Sequence, residues 1–196
     1  MWASSANSRF RLRVKPSAVA VWLCFLVFDP SLYTLLLFLA MSLHECGHLL
    51  VLLFCKKTGV RMTVSAFGAE IAYDGSAGGA AAQIAVALGG AFMNLLCALP
   101  ILLWGRGNES VLFFGVGSLV LALLNLMPIK GLDGAAALEE LLLIRMDPPS
   151  VWRVMKRVSV GFLFLLLVLS LLVLLGSSFN FSLLLFTLYL SLSVFR

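Results

Sequence analysis

Long apolar runs separated by short polar stretches dominate the hydrophobic pattern of this chain. The runs at 32–55, 80–104 and 158–175 approach or exceed the roughly 20 residues with which a helix crosses about 30 Å of hydrocarbon. Shorter apolar runs at 16–28, 111–127 and 181–195 bring the number of predicted transmembrane helices to about six. The pattern therefore predicts an all-α polytopic membrane protein.

One stretch has a different period. Between the second and third apolar runs, Val60, Met62 and Val64 alternate with polar residues, which is the two-residue period of a β-strand. Turn residues follow at 74–76, where the sequence is Asp-Gly-Ser. We predict a short membrane-associated β-hairpin between helices 2 and 3. An amphipathic surface loop is the alternative, because so short an alternation is ambiguous.

The composition supports a membrane protein. Hydrophobic residues make up 62% of the 196 positions and charged residues only 12%, about half of what a soluble domain carries. The net charge of +5 does not indicate a nucleic-acid partner, because the basic residues are spread through the loops between predicted spans. We interpret them as topology determinants and contacts to lipid headgroups.

The basic residues also predict an orientation. With six spans and the N-terminus inside, every lysine and arginine except Arg106 falls on the cytosolic side, as the positive-inside rule requires. Both termini are therefore expected in the cytosol. The predicted organisation is a basic segment at 1–15, a core of four spans and the hairpin at 16–146, and two C-terminal transmembrane helices at 147–196.

The candidate chemistry lies inside the second span, in the sequence His44-Glu45-Cys46-Gly47-His48. The chain has only these two histidines, and residues four apart share one face of a helix. In the H-E-x-x-H pattern the two histidines bind zinc and the glutamate accepts a proton from water. A structural role for a buried polar pair is the alternative, but ionisable groups at mid-membrane are costly and usually functional.

A catalytic zinc ion usually has three protein ligands, and no third histidine exists here. The acidic candidates are Asp29, Glu70, Asp74, Asp133, Glu139 and Glu140. Asp133 is favoured because the irregular stretch 128–134 follows a span directly, and such backbone at membrane depth must be buried or line a cavity. An N-cap role for Asp133 in the following helix is equally compatible with the local sequence. Asn94, polar at membrane depth, either bonds across helices or belongs to the site.

Four motifs together resemble the site-2 protease family of intramembrane zinc metalloproteases, over roughly residues 10 to 146. They are His44-Glu45-x-x-His48, Gly90-x-x-x-Asn94, Asn125-x-x-Pro128 and Leu132-Asp133-Gly134. The six-span layout is similar to the sporulation-factor branch, which processes a membrane-bound sigma-factor precursor. The resemblance implies one zinc ion per chain, with Asp133 as its third ligand. It also implies substrate-binding or site-supporting roles for Asn94, Asn125, Phe67 and Gly68.

The function implied is an intramembrane zinc metalloendopeptidase that cleaves in or near a transmembrane segment of a membrane-bound regulatory protein, of the pro-sigma or anti-sigma type. Its expected partners are that substrate, the lipid bilayer and membrane inhibitor or activator proteins, with no nucleic acid. The expected location is a bacterial cytoplasmic membrane. A zinc transporter or metal-sensing membrane protein with the same ligands is the alternative. Glu45 favours the peptidase, since a transport site needs no acid or base beside a ligand.

Overall fold

A computed structural model of the protein describes residues 11–55, 58–65, 68–74, 79–105, 107–176 and 180–195. These residues form a helical bundle with one small sheet. The helices are α1 Pro16–Phe28, α2 Leu32–Phe54, α3 Gly79–Trp104, α4 Glu109–Asn125, α5 Asp133–Leu143, α6 Pro148–Gly176 and α7 Ser182–Phe195. The strands are β1 Arg11–Val14, β2 Thr58–Ser65 and β3 Gly68–Asp74.

Three helices in the described part of the chain are long and apolar enough to cross a membrane: α2, α3 and α6. Helices α1, α4 and α7 have 13, 17 and 14 residues, so a total of six spans stays a prediction. Helix α6 is longer than predicted, because the basic stretch before residue 158 continues into the apolar run as one helix. Its first turn holds Pro148 and Pro149, where proline is tolerated because those backbone N–H groups have no helical partner.

Helix α2 packs against α3 and α4, and α3 also contacts α5. Small residues allow the closest of these approaches. A Cβ atom built on Gly89 of α3 would lie 2.9 Å from the carbonyl oxygen of Gly47 of α2, so both backbones must lack side chains there. Gly47 lies between the two histidines in sequence, and this contact therefore sets α3 directly against the histidine-bearing face of α2.

The chain between α4 and α5 is an irregular turn, residues 126–132, that is held by α6. Ile129 is fully buried, and the hydroxyl of Ser159 donates to the carbonyl oxygen of Pro128 at 3.2 Å. The same hydroxyl accepts from the backbone N–H of Lys130 at 3.0 Å. Two backbone groups of this turn are thus paired inside the protein, as buried irregular backbone requires. Asp133 follows this turn directly and is the first residue of α5.

The strands form one sheet in the order β1-β2-β3. Strands β2 and β3 follow α2, lie in the stretch for which alternation predicts strands, and pair antiparallel, with Met62 opposite Ile71. Strand β1 pairs parallel to β2 and was not predicted, although the alternation of basic and apolar residues in Arg11–Val14 is a signal for it. Phe67 lies outside the described residues, and Gly68 is the first residue of β3.

Candidate metal centre

Three potential ligand atoms converge between α2 and the start of α5. Nε2 of His44 and Nε2 of His48 are 3.2 Å apart, as their i, i+4 spacing on one helix face allows. Oδ2 of Asp133 lies 2.9 Å from the former and 3.3 Å from the latter. Both histidines are buried, and they stand near the middle of the 23-residue helix α2.

The three atoms fit a zinc ion. Ligands bound tetrahedrally at about 2.0–2.2 Å lie about 3.3–3.6 Å from one another, close to the 2.9–3.3 Å separations found here. Two imidazoles and one carboxylate form a known donor set for catalytic zinc. Oδ2 of Asp133 is buried and accepts no hydrogen bond of acceptable geometry from the described residues. A cation at the centre of the triangle would compensate this buried oxygen.

The α3 residues Val86, Gly90 and Asn94, spaced four apart, line the other side of the histidines. The Nδ1 atom of His48 lies 2.7 Å from the carbonyl oxygen of Val86. Gly90 adjoins both Nε2 atoms. Asn94 is fully buried, and its Nδ2 atom lies 3.3 Å from Nδ1 of His44. Of the two roles left open for Asn94, the structure shows the contact with another helix, and a role in the site stays a prediction.

A cavity of about 750 Å³ opens onto the three ligand atoms. Glu45, the predicted proton acceptor, lines it, and so does Asn125, whose Nδ2 donates to the carbonyl oxygen of Leu121 at 3.0 Å. Gln83 and Tyr189 also line the cavity but were missed by sequence reasoning. Gln83 had a signal, since it is polar within an apolar run and lies seven residues, two helical turns, before Gly90. Tyr189 had none.

The other acidic candidates for a third ligand are Asp29, Glu139, Glu140, Glu70 and Asp74. Asp29 precedes α2, where its Oδ2 accepts from the Thr34 hydroxyl at 2.6 Å; this hydrogen bond and one with Ser31 lower the pKa of the Asp29 carboxyl. Glu139 and Glu140 line the cavity, whereas Glu70 and Asp74 belong to β3.

Asp133 itself does not act as the N-cap of α5, because the cap position is Leu132 and Asp133 is the first helical residue. The N-cap alternative is therefore wrong. The side chain of Asp133 is directed instead at the two histidines.

Comparison with solved structures identifies the architecture. The Site-2 Protease from Methanocaldococcus jannaschii matches with a TM-score of 0.65 over 99% of this chain and 92% of that one. The two proteins share one fold. Their sequence identity is 17%, so the likeness concerns the fold and not the chemistry. No protein-family model matches the sequence, and no curated protein matches it.

Proposed function

We propose that this protein is an intramembrane zinc metalloendopeptidase. The observation that carries the proposal is the convergence of His44, His48 and Asp133 within a membrane-length helix bundle, beside a cavity that Glu45 also lines. Ionisable groups so placed are rare unless they serve a function. The similarity of the fold to the Site-2 Protease from Methanocaldococcus jannaschii supports the same activity.

In this proposal His44, His48 and Asp133 hold one zinc ion. When bound, zinc supplies Lewis acidity, which polarises a carbonyl group and makes water a stronger acid. Glu45 follows a ligand directly but projects about 100° away from it on the helix, so its carboxylate faces the cavity beside the ligands. It accepts a proton from water and then donates that proton to the departing amine of the cleaved peptide bond.

We propose as substrate a transmembrane segment of a membrane-bound regulatory protein, of the pro-sigma or anti-sigma type, in a bacterial cytoplasmic membrane. The mid-helix position of the histidines supports cleavage within or near the bilayer. The proposed organisation keeps 16–146 as the peptidase core, after a cytosolic basic segment at 1–15. The residues 147–196 supply two further spans. Tyr189 of the second of these, α7, lines the cavity.

Strand β3 offers a place to hold an unwound substrate. Val60 of the adjacent strand β2 forms one buried apolar cluster with Leu52 of α2 and Val86 of α3. The carbonyl of Val86 contacts His48, so this cluster holds the sheet beside the site. An unwound segment in lipid needs hydrogen-bond partners, since each unpaired backbone group costs several kcal/mol. We propose that the substrate pairs with the outer edge of β3 by strand addition, next to Gly68.

Two matched substitutions separate proton transfer from metal binding. Glu45→Gln keeps the shape of the side chain but cannot accept a proton, so we expect near-normal zinc content and no cleavage. Asp133→Asn removes a charged ligand, so we expect loss of cleavage together with most of the zinc. The first measurement is zinc per chain in the purified protein. The second is cleavage of single-span model proteins that contain helix-breaking residues, with enzyme and substrate reconstituted together in liposomes.

Glu109→Gln serves as the control, because it makes the same chemical change at the exposed first residue of α4. It should retain both zinc and cleavage. Peptidase activity that survives Glu45→Gln would contradict the mechanism. Zinc flux across the liposomes without cleavage by the unsubstituted protein would favour the transporter.

A further inference from the structure

Asn94 is the most deeply buried polar group at the metal centre, with no exposed surface. Its Nδ2 atom lies 3.3 Å from Nδ1 of His44, while its Oδ1 atom has no hydrogen-bond partner among the described residues. A buried amide oxygen without a partner is costly, by about 1–3 kcal/mol. We therefore expect the protein to have a second arrangement of this amide in which Oδ1 of Asn94 accepts a hydrogen bond.

The protonation of the two histidines indicates which arrangement of the Asn94 amide this is. A neutral imidazole carries one proton, and the partner of one ring nitrogen determines which nitrogen holds it. The carbonyl oxygen of Val86, 2.7 Å from Nδ1 of His48, can only accept, so Nδ1 is protonated and Nε2 keeps its lone pair for a metal. His44 needs the same arrangement, because its Nε2 faces the same centre.

Asn94 can provide that arrangement if its amide turns by 180°. With Nδ2 toward Nδ1, the amide donates, so the His44 proton belongs on Nε2, where it points at Asp133 and blocks a metal. With Oδ1 toward Nδ1, the amide accepts, the Nε2 lone pair is free, and the unpaired oxygen gains its partner, while Nδ2 takes the position that Oδ1 leaves. The two ends of an amide are nearly isosteric, so this turn needs no backbone movement.

We propose that Asn94 is a positioning residue that fixes His44 in its metal-binding tautomer by accepting the Nδ1 proton through Oδ1. This inference rests on the proposed zinc site and deepens it. The backbone carbonyl of Val86 accepts the Nδ1 proton of His48, and in this proposal the side chain of Asn94 accepts the Nδ1 proton of His44 in the same way. Residues 86, 90 and 94 thus form one stripe of α3, in which Gly90 leaves the space that both rings occupy.

The first test measures zinc affinity of the purified full-length protein in detergent by competition with a chelator. Asn94→Leu keeps the approximate volume but has no acceptor, and we expect zinc binding 10–100-fold weaker, the usual effect of losing such a partner. Asn94→Asp keeps an acceptor oxygen at the same distance, and its affinity should stay within a few-fold of the unsubstituted protein. Asn94→Ala also lacks an acceptor and replaces the leucine variant if that variant does not fold. We expect the same 10–100-fold loss of zinc affinity from it.

The control is Ser118→Ala, at another fully buried polar residue, on α4. It should leave zinc affinity unchanged. A purely structural role for Asn94 predicts the opposite order, with leucine tolerated and the buried aspartate disruptive. Zinc affinity in Asn94→Leu and Asn94→Ala equal to that of the unsubstituted protein would overturn the proposal, as would equal losses in Asn94→Asp and Asn94→Leu.

A second readout follows from the chain having only two histidines. In zinc-loaded protein labelled with ¹⁵N-histidine, both Nδ1–H protons should exchange slowly with solvent, because each is hydrogen-bonded. Asn94→Leu should expose the His44 proton alone, with His48 as the internal reference. Failure of the unsubstituted protein to bind zinc would refute the proposed function and this inference together. Normal zinc binding with an unprotected His44 proton would refute only the inference.

Discussion

Gly90 of α3 lies directly against the imidazole of His44 of α2: a Cβ atom at this glycine would stand 2.6 Å from Nε2. It would also contact Nε2 of His48. Both nitrogens are proposed zinc ligands, so the absence of a side chain at one position of α3 is what allows the two rings to face Asp133. The spacing Gly90-x-x-x-Asn94 then has a physical meaning. Gly90 leaves room for the two imidazole rings, and Asn94, one helical turn later, contacts Nδ1 of His44.

Gly90→Ala should therefore abolish zinc binding, because the added methyl group displaces both ligand nitrogens while leaving the polar groups unchanged. Zinc content and cleavage should fall together, by at least tenfold. Gly161→Ala on α6 is the matched control, since a Cβ atom there would meet nothing within 4 Å. If Gly90→Ala binds zinc as well as the control, the arrangement of α2 against α3 described above is wrong.

Ser159→Ala tests how the turn that delivers Asp133 is held. The hydroxyl pairs with Pro128 and Lys130, so its loss leaves two backbone groups unpaired and should cost about 1–3 kcal/mol of stability, with weaker zinc binding. Ser170→Ala, also fully buried in α6, removes a hydroxyl whose hydrogen bond among the described residues goes to Leu167 of its own helix. Thermal unfolding and zinc content should separate the two variants, and equal behaviour would argue against the turn as the support of Asp133.

Strand addition to β3 makes a prediction about one backbone N–H. Lys15 donates its N–H to the carbonyl of Val64 at 2.8 Å, so the backbone groups of Val64 point toward β1. Val64 faces Ala69 in the antiparallel register, which makes this a pair without mutual hydrogen bonds. The backbone groups of Ala69, and of Ile71 two residues later, therefore point away from β2 to the open edge.

Ile71→Pro should reduce cleavage at least tenfold at unchanged zinc content, because it removes a donor from the outer edge without breaking the β2–β3 ladder. Ile71→Ala is the control for the lost side chain. Proline at Thr63, on the central strand, would instead break a ladder bond within the sheet. Equal cleavage by the proline and alanine variants at position 71 would place substrate presentation elsewhere.

The orientation predicted from the basic residues is tested by thiol labelling. In a variant without its four cysteines, Glu109→Cys at the start of α4 should react in intact cells with a reagent that cannot cross the membrane. Arg145→Cys, between α5 and α6, should react only after the cells are opened. Both positions are exposed. The reverse pattern would invert the topology.

Several features of this protein follow from the sequence because they are local. The pair His44 and His48 shares a face through helical period alone, and the lengths of α2 and α3 follow from the thickness of hydrocarbon that an apolar helix spans. The strand period of β2 was visible for the same reason. The alternation in Arg11–Val14 was equally local, but four residues are too few to distinguish a strand from a basic tail.

The tertiary structure decided what depends on groups distant in the chain. Asp133 is locally indistinguishable from a helix cap, and only the packing of α5 against α3, with the turn held by Ser159, directs its carboxylate at the histidines. The contact of Asn94 with His44 likewise requires α3 to lie against α2 at Gly47 and Gly89. Sequence periodicity gives the face of each helix, but which faces meet, and at what height, is set by side-chain packing between helices.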